Sequence, residues 1–196
     1  MKAILQTKYG PPEEALQLIE IEKPTPKENQ VLVKVHAASA NALEWRGFTM
    51  SPLIIRLMGG LRKPRDPKMG VDVAGTVEAV GSHVTEFRPG DEVFGVAPGA
   101  LAEYACNGAS KFALKPANIS FEAAAAVPVA ALTALQGLRD TGKIQPGQNV
   151  LIDGASGGVG TYAVQIAKSY GAEVTAVCST RNLDLACSLG ADYVID

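Results

Sequence analysis

The chain has 196 residues, 47% of them hydrophobic and 19% charged, with a formal net charge of −2. These values fit a soluble globular protein with one or two cores. With 18 Lys and Arg against 20 Asp and Glu, there is no basic footprint for nucleic acid or a membrane surface, and no apolar run approaches the ~18 residues of a transmembrane helix.

The N-terminal stretch MKAILQTKYG carries no apolar h-region and no Arg/Ser-rich leader. Three cysteines (Cys106, Cys178 and Cys187) lack C-x-x-C spacing and argue for a reducing compartment. The expected localisation is therefore cytoplasmic. Val31, Val33, Val35 and Ala37 share one face of an alternating strand, and Val71, Val73 and Val77 recur in a second run broken by Gly75. Pro89-Gly90-Asp91 is turn chemistry. Residues 1–119 thus read as a small, mostly β, barrel-like domain. Met50 to Lys68, apolar and then basic, reads as a loop or short helix at the rim of a cleft. Ser120 is placed to cap an alanine-rich helix that is interrupted at Pro128 and resumes to about Thr141. Residues 120–146 then form a helical linker, and 147–196 a partial nucleotide-binding domain.

Gly147 to Lys168, GQNVLIDGASGGVGTYAVQIAK, carries the most chemistry. An apolar strand (Val150, Leu151, Ile152) runs into a turn with Gly154, Gly157, Gly158 and Gly160. A helix follows, with Val159, Tyr162, Ala163, Ile166 and Tyr170 at helical spacing. A second strand, Glu173 to Cys178, completes the strand–turn–helix–strand context. Such a turn brings backbone close to a pyrophosphate, and the helix N-terminus supplies unpaired N–H groups. Ser156, Gly157, Gly158 and Val159 are the candidate contacts. The G-x-G-x-x-G pattern departs at its first position, where Ala155 stands. A glycine-rich helix start that binds nothing is the alternative.

The second strand's end sets the cofactor preference. An NAD site places an acid there, roughly 20 residues past the first glycine. Here Ser179-Thr180-Arg181-Asn182 follows Cys178, with no acid among them. Two hydroxyls and a guanidinium suit a 2′-phosphate, so Ser179, Thr180 and Arg181 point to NADPH. The same residues also read as a helix cap and a solvated side chain.

These residues resemble a known family. The run Gly147-Gln148, Leu151, Ala155-Ser156-Gly157-Gly158, Gly160, Gln165 and Lys168 looks like the signature of the zinc-free quinone oxidoreductases of the medium-chain dehydrogenase/reductase superfamily. VLVKVHAASAN (31–41), GVDVAGTVEAVG (70–81), RPGDEVFG (88–95) and PVAALTALQGL (128–138) are similar to the same family, and GASGGVGTYAVQ with AVCSTRN to its reticulon-4-interacting-protein-like members. The resemblance implies an α/β protein: a mostly β GroES-like barrel domain, then the first part of a Rossmann doubly wound parallel sheet. It also implies a longer parent chain, homodimeric in full-length form. On that reading the 196 residues are a fragment with little activity of its own. Its Val150–Ile152 and Val174–Val177 strands would lack flanking strands.

The resemblance implies hydride transfer from NADPH to a quinone or an α,β-unsaturated carbonyl without metal. The positions resembling zinc ligands of related alcohol dehydrogenases hold Asn41, Val71 and, near the third, Ala130; His36 and His83 belong to no ligand cluster. Asn41 and Tyr104 are the catalytic candidates, Trp45 the acceptor-site candidate and Thr133 a cofactor contact from the linker helix. Asp72 looks structural. Asn41 also reads as a turn amide, Tyr104 and Trp45 as half-buried core aromatics, and Thr133 as helix packing. From another class, the chain could be an NADPH-binding or protein-interaction module in which turnover is incidental.

Overall fold

The computed structural model describes residues 1–42, 44–45, 60 and 63–196. The chain divides into two compact units, Met1–Pro128 and Val129–Asp196. Most of the apolar-to-basic stretch expected as a rim loop at 50–68 lies outside the described residues.

The first unit is built on antiparallel strands. Strand β1 (Lys2–Gln6) pairs with β2 (Leu16–Glu20) across a short helix α1 (Pro12–Ala15). Strands β3 (Gln30–Ser39), β4 (Asp72–Val80), β5 (Glu92–Val96), β6 (Tyr104–Gly108) and β7 (Phe112–Leu114) form a sheet in the order β6-β3-β4-β5-β7. Its core is a cluster of small β-branched and alanine side chains, led by Val31, Val33, Val73, Val77 and Val93, which fit a pleated surface. The expected turn at Pro89-Gly90 is present. Asp91 N–H donates to Arg88 C=O at 3.1 Å, and Gly90 has φ +96°, the left-handed position such a turn gives to glycine.

One expected face is corrected. Ala37 does not share the face of Val31, Val33 and Val35. The register runs Val35↔Gly75 and then Ala37↔Ala74, so His36 is an extra residue and β3 bulges there. Beyond the bulge Ala38 packs toward the valine core, while Ala37 packs with Ala124 and Ala125 on the other side. Those alanines belong to helix α2 (Phe121–Ala125), whose first turn is capped as expected by Ser120 Oγ, accepting from Ala123 N–H at 3.2 Å. The His36 ring stacks on Phe121, with centroids 4.4 Å apart.

The helical stretch expected as a linker over 120–146 does not stand apart. Helix α2 packs within the first unit. Helix α3 (Pro128–Leu135) and its π-helical continuation Gln136–Thr141 serve the second, where Ala134 and Ile144 join the core. Pro128 explains the break, because proline has no backbone N–H with which to continue α2, whereas the first turn of α3 needs none.

In the second unit β8 (Asn149–Asp153), helix α4 (Gly158–Ser169), β9 (Glu173–Val177), helix α5 (Leu183–Ser188) and β10 (Tyr193–Ile195) make a parallel sheet in the order β10-β9-β8. The expectation that Val174–Val177 lacks flanking strands is corrected, since β9 is the central strand, paired on both sides. Ala163, Val164 and Ala167 of α4 pack over Ile152, Val174 and Ala176. The opposite side of β8 is open, with Leu151 66% exposed.

Helix and sheet are also tied electrostatically. Lys168 Nζ reaches both oxygens of Asp192 at 2.8 and 2.7 Å, and Asp192 Oδ2 also accepts the Val174 N–H at 2.7 Å. The Lys168 ammonium and this amide hold the Asp192 carboxyl below its ordinary value of 3.8. A lowered folded value stabilises fully above 3.8 and is lost as pH falls through the folded value. Asp192→Asn is therefore expected to lower the melting temperature at neutral pH and to flatten its fall in acid; an acid limb as steep as that of the wild type would contradict this.

Candidate nucleotide-binding site

The site begins where β8 stops. Gly154 has φ +70°, a backbone state costly for other residues. The next residue, Ala155, is fully buried and donates its N–H to Val177 C=O of β9 at 3.0 Å. Gly157 N–H closes the turn onto Gly154 C=O at 2.9 Å, and Gly157 then caps α4. The first intrahelical acceptor is Gly157 C=O, bound by Thr161 N–H at 2.9 Å. The amides of Gly158, Val159 and Gly160 thus open the helix, where helical geometry supplies no acceptors and the dipole favours an anion.

Two glycines play opposite parts. A Cβ on Gly160 would lie 2.2 Å from Gly154 O and 2.8 Å from Ala155 Cα, so the helix start and the turn touch backbone to backbone. A Cβ on Gly158 would meet nothing within 4 Å, leaving open space over the first free amide. Val159 corrects the expected apolar stripe: it is 40% exposed beside that space, and the buried position is Gly160.

The second cluster follows β9. Ser179, Thr180 and Arg181 are exposed around a single 3-10 turn, Thr180–Asn182. Arg181 enters none of the ion pairs among the described residues. Asn182 Nδ2 donates to Ser156 Oγ at 3.0 Å and to Ser179 Oγ at 3.2 Å, joining the glycine turn to this corner. The sequence reading found no acid here, yet Thr180 Oγ1 donates to Asp196 Oδ2. Asp196 follows β10, whose Ile195 C=O accepts the Cys178 N–H at 3.0 Å. Asn182 and Asp196 are the residues that sequence reasoning missed. The serine–asparagine spacing hints at the first, whereas only the register of β10 on β9 reveals the second.

Thr133 lies in the same unit, exposed on α3, with its hydroxyl proton given to Val129 C=O at 2.6 Å. The remaining candidates lie in the first unit. Asn41 heads a short helical turn, its N–H bound by Glu44 Oε2 at 2.7 Å. Its Nδ2 donates to Asp72 Oδ2 at 3.0 Å, and Ser39 Oγ donates to the same oxygen at 3.0 Å. Asp72 has no exposed surface and accepts from both of these side chains. Trp45 is exposed nearby in sequence. Tyr104 is not brought to Asn41. It pairs with Lys34, whereas Asp72 pairs with Ser39; five residues of β3 separate them, about 16 Å at strand spacing. Lys23 Nζ covers the Tyr104 ring, 3.9 Å from its centroid.

Residues 27–117 match the alcohol dehydrogenase GroES-like domain, and 158–196 the zinc-binding dehydrogenase family. A quinone oxidoreductase homolog, chloroplastic, from Spinacia oleracea is 42% identical over all of this chain and 61% of its own length. The quinone oxidoreductase of Sus scrofa is 40% identical over 92% of this chain and 53% of its own. Among solved structures, the quinone oxidoreductase from Coxiella burnetii superposes with a TM-score of 0.88 at 36% identity, over all of this chain and 62% of that one. The chain is thus similar along its whole length to quinone oxidoreductases, with its two family matches in chain order. The quinone oxidoreductase of Escherichia coli, solved as a complex with NADPH, gives a TM-score of 0.86 at 33% identity, covering all of this chain and 58% of that one. The chain thus spans about six-tenths of the length of the first relatives it matches. A mitochondrial NAD(P)H oxidoreductase, RTN4IP1, of Homo sapiens is 38% identical over 86% of this chain and 46% of its own length.

The two glycines predict opposite outcomes. Gly160→Ala is expected to cost about 1–3 kcal/mol by denaturant unfolding, because the methyl overpacks backbone that cannot yield. Gly158→Ala is expected to leave stability unchanged or raise it by up to ~1 kcal/mol. Equal effects would contradict the close contact.

Proposed function

We propose that the protein is an NADPH-dependent oxidoreductase that delivers hydride to a quinone or an α,β-unsaturated carbonyl without a metal. The observation that carries this reading is the junction of the glycine turn with the Ser179–Arg181 corner in a single unit. Bound NADPH supplies the hydride. The amides of Gly158, Val159 and Gly160 would hold its pyrophosphate, and Ser179 with Arg181 its 2′-phosphate. The bond between Asn41 Nδ2 and Asp72 orients the Asn41 amide and leaves it a second N–H for an acceptor oxygen gaining negative charge. Tyr104 has no part in this reading, because strand register sets it away from Asn41.

The residues do not fit zinc. Asn41 and Val71 stand at the positions that resemble the zinc ligands of related alcohol dehydrogenases, and neither an amide nor an alkyl side chain supplies the thiolate or imidazole such a site needs. No group of three or more His, Cys, Asp and Glu suited to a metal occurs among the described residues. Elemental analysis is expected to find far less than one zinc per chain.

No helix among the described residues is long and apolar enough to cross a membrane. All three cysteines are free, which supports a reducing compartment such as the cytoplasm. A binding module remains the second reading, because both phosphate-facing clusters belong to Val129–Asp196 and need no residue of the first unit. Steady NADPH oxidation with a model quinone or enone supports the enzyme. Tight binding with no turnover across a panel of both supports the module.

Arg181→Ala is expected to weaken NADPH about 10- to 100-fold while leaving NADH within about threefold, the loss of one charge-assisted phosphate contact. Equal losses for the two cofactors would refute the 2′-phosphate role.

A further inference from the structure

We propose that Asn182 is a positioning residue that fixes Ser156 and Ser179 as hydrogen-bond donors toward two phosphate groups of one nucleotide. The proposal rests on the NADPH reading and deepens it. Asn182 sits at the N-cap position of α5, where an asparagine ordinarily accepts from the helix amides, but its side chain makes no cap bond. The amide is turned instead to the two serines. Its NH2 carries two hydrogens and no lone pair toward them, and each serine oxygen accepts one, at 3.0 and 3.2 Å.

A hydroxyl has a single proton to donate. With its oxygen accepting from Asn182, each serine is left to donate elsewhere, and neither donates to a protein acceptor among the described residues. Ser156 lies in the pyrophosphate turn, and Ser179 at the 2′-phosphate corner. One side chain therefore sets the polarity of both. Thr180 makes the contrast: its proton is committed to Asp196, so the corner presents Ser156 and Ser179 as donors and withholds Thr180. An aspartate at position 182 would offer only acceptors. It would draw both serine protons inward and add a negative charge beside the phosphates.

Calorimetric titration with NADPH and with NADH, on the wild type and on N182D and N182A, tests this. NADPH engages both serines and NADH, lacking the 2′-phosphate, only the one at the turn. N182D is expected to weaken NADPH by at least ~10-fold more than NADH, and N182A to show the same bias at about 3- to 10-fold, in keeping with hydrogen bonds to charged groups. In a Ser179→Ala background the N182A bias should vanish. A merely structural role would weaken both cofactors equally, and that result overturns the proposal. So does N182D binding NADPH within twofold of the wild type, or a bias that persists without Ser179. If N182D does not fold, N182A and the Ser179 cycle decide. A wild type that fails to bind NADPH overturns the cofactor reading and this proposal together.

Discussion

The second unit depends on one close approach. Gly160 lies against Gly154 O and Ala155 with no room for a methyl group. That contact sets the start of α4 directly on the turn leaving β8. Any side chain at 160 would lift the helix start, and with it the direction of the three amides at its tip. Electrostatics at a helix N-terminus fall off within the first turn, so a small displacement would cost most of the attraction for an anion.

The turn is held from its other side as well. Ala155 donates to Val177 of β9, and Cys178 donates to Ile195 of β10. The ends of three parallel strands are thus locked at one edge, where ligands of doubly wound sheets gather. Asn182 then connects that edge to the corner beyond β9. In the first unit a different logic applies. Asp72, without exposed surface, gathers Ser39 and Asn41, a buried carboxylate whose hydrogen bonds offset the loss of water. Its effect is to hold Asn41 in one orientation.

Much of this was legible in the sequence because it is local. Alternating valines mark β3 and β4, Pro89-Gly90 marks its turn, and Ser120 and Pro128 mark helix boundaries through their own chemistry. The glycine turn was legible for the same reason. What escaped depends on partners distant in sequence. The bulge at His36 reverses alternation, so Ala37 faces α2 rather than the valine core, and nothing in the local pattern signals it. Val159 fits a helical stripe by spacing, but the Gly160 contact rotates the buried face past it. Tyr104 and Asn41 could be paired on paper because strand register was unknown. Asp196 reaches Thr180 only because β10 lies parallel to β9, and Asn182 faces Ser156 across 26 residues of chain.

The central claim is that the tip of α4 receives the cofactor's pyrophosphate. Titrating isotopically labelled protein with NADPH and following backbone amide resonances tests it most directly. The account predicts that Gly158, Val159 and Gly160 shift together with Ser179 to Asn182, saturating at one affinity. Saturable binding of NADPH that leaves those three amides unmoved would contradict it.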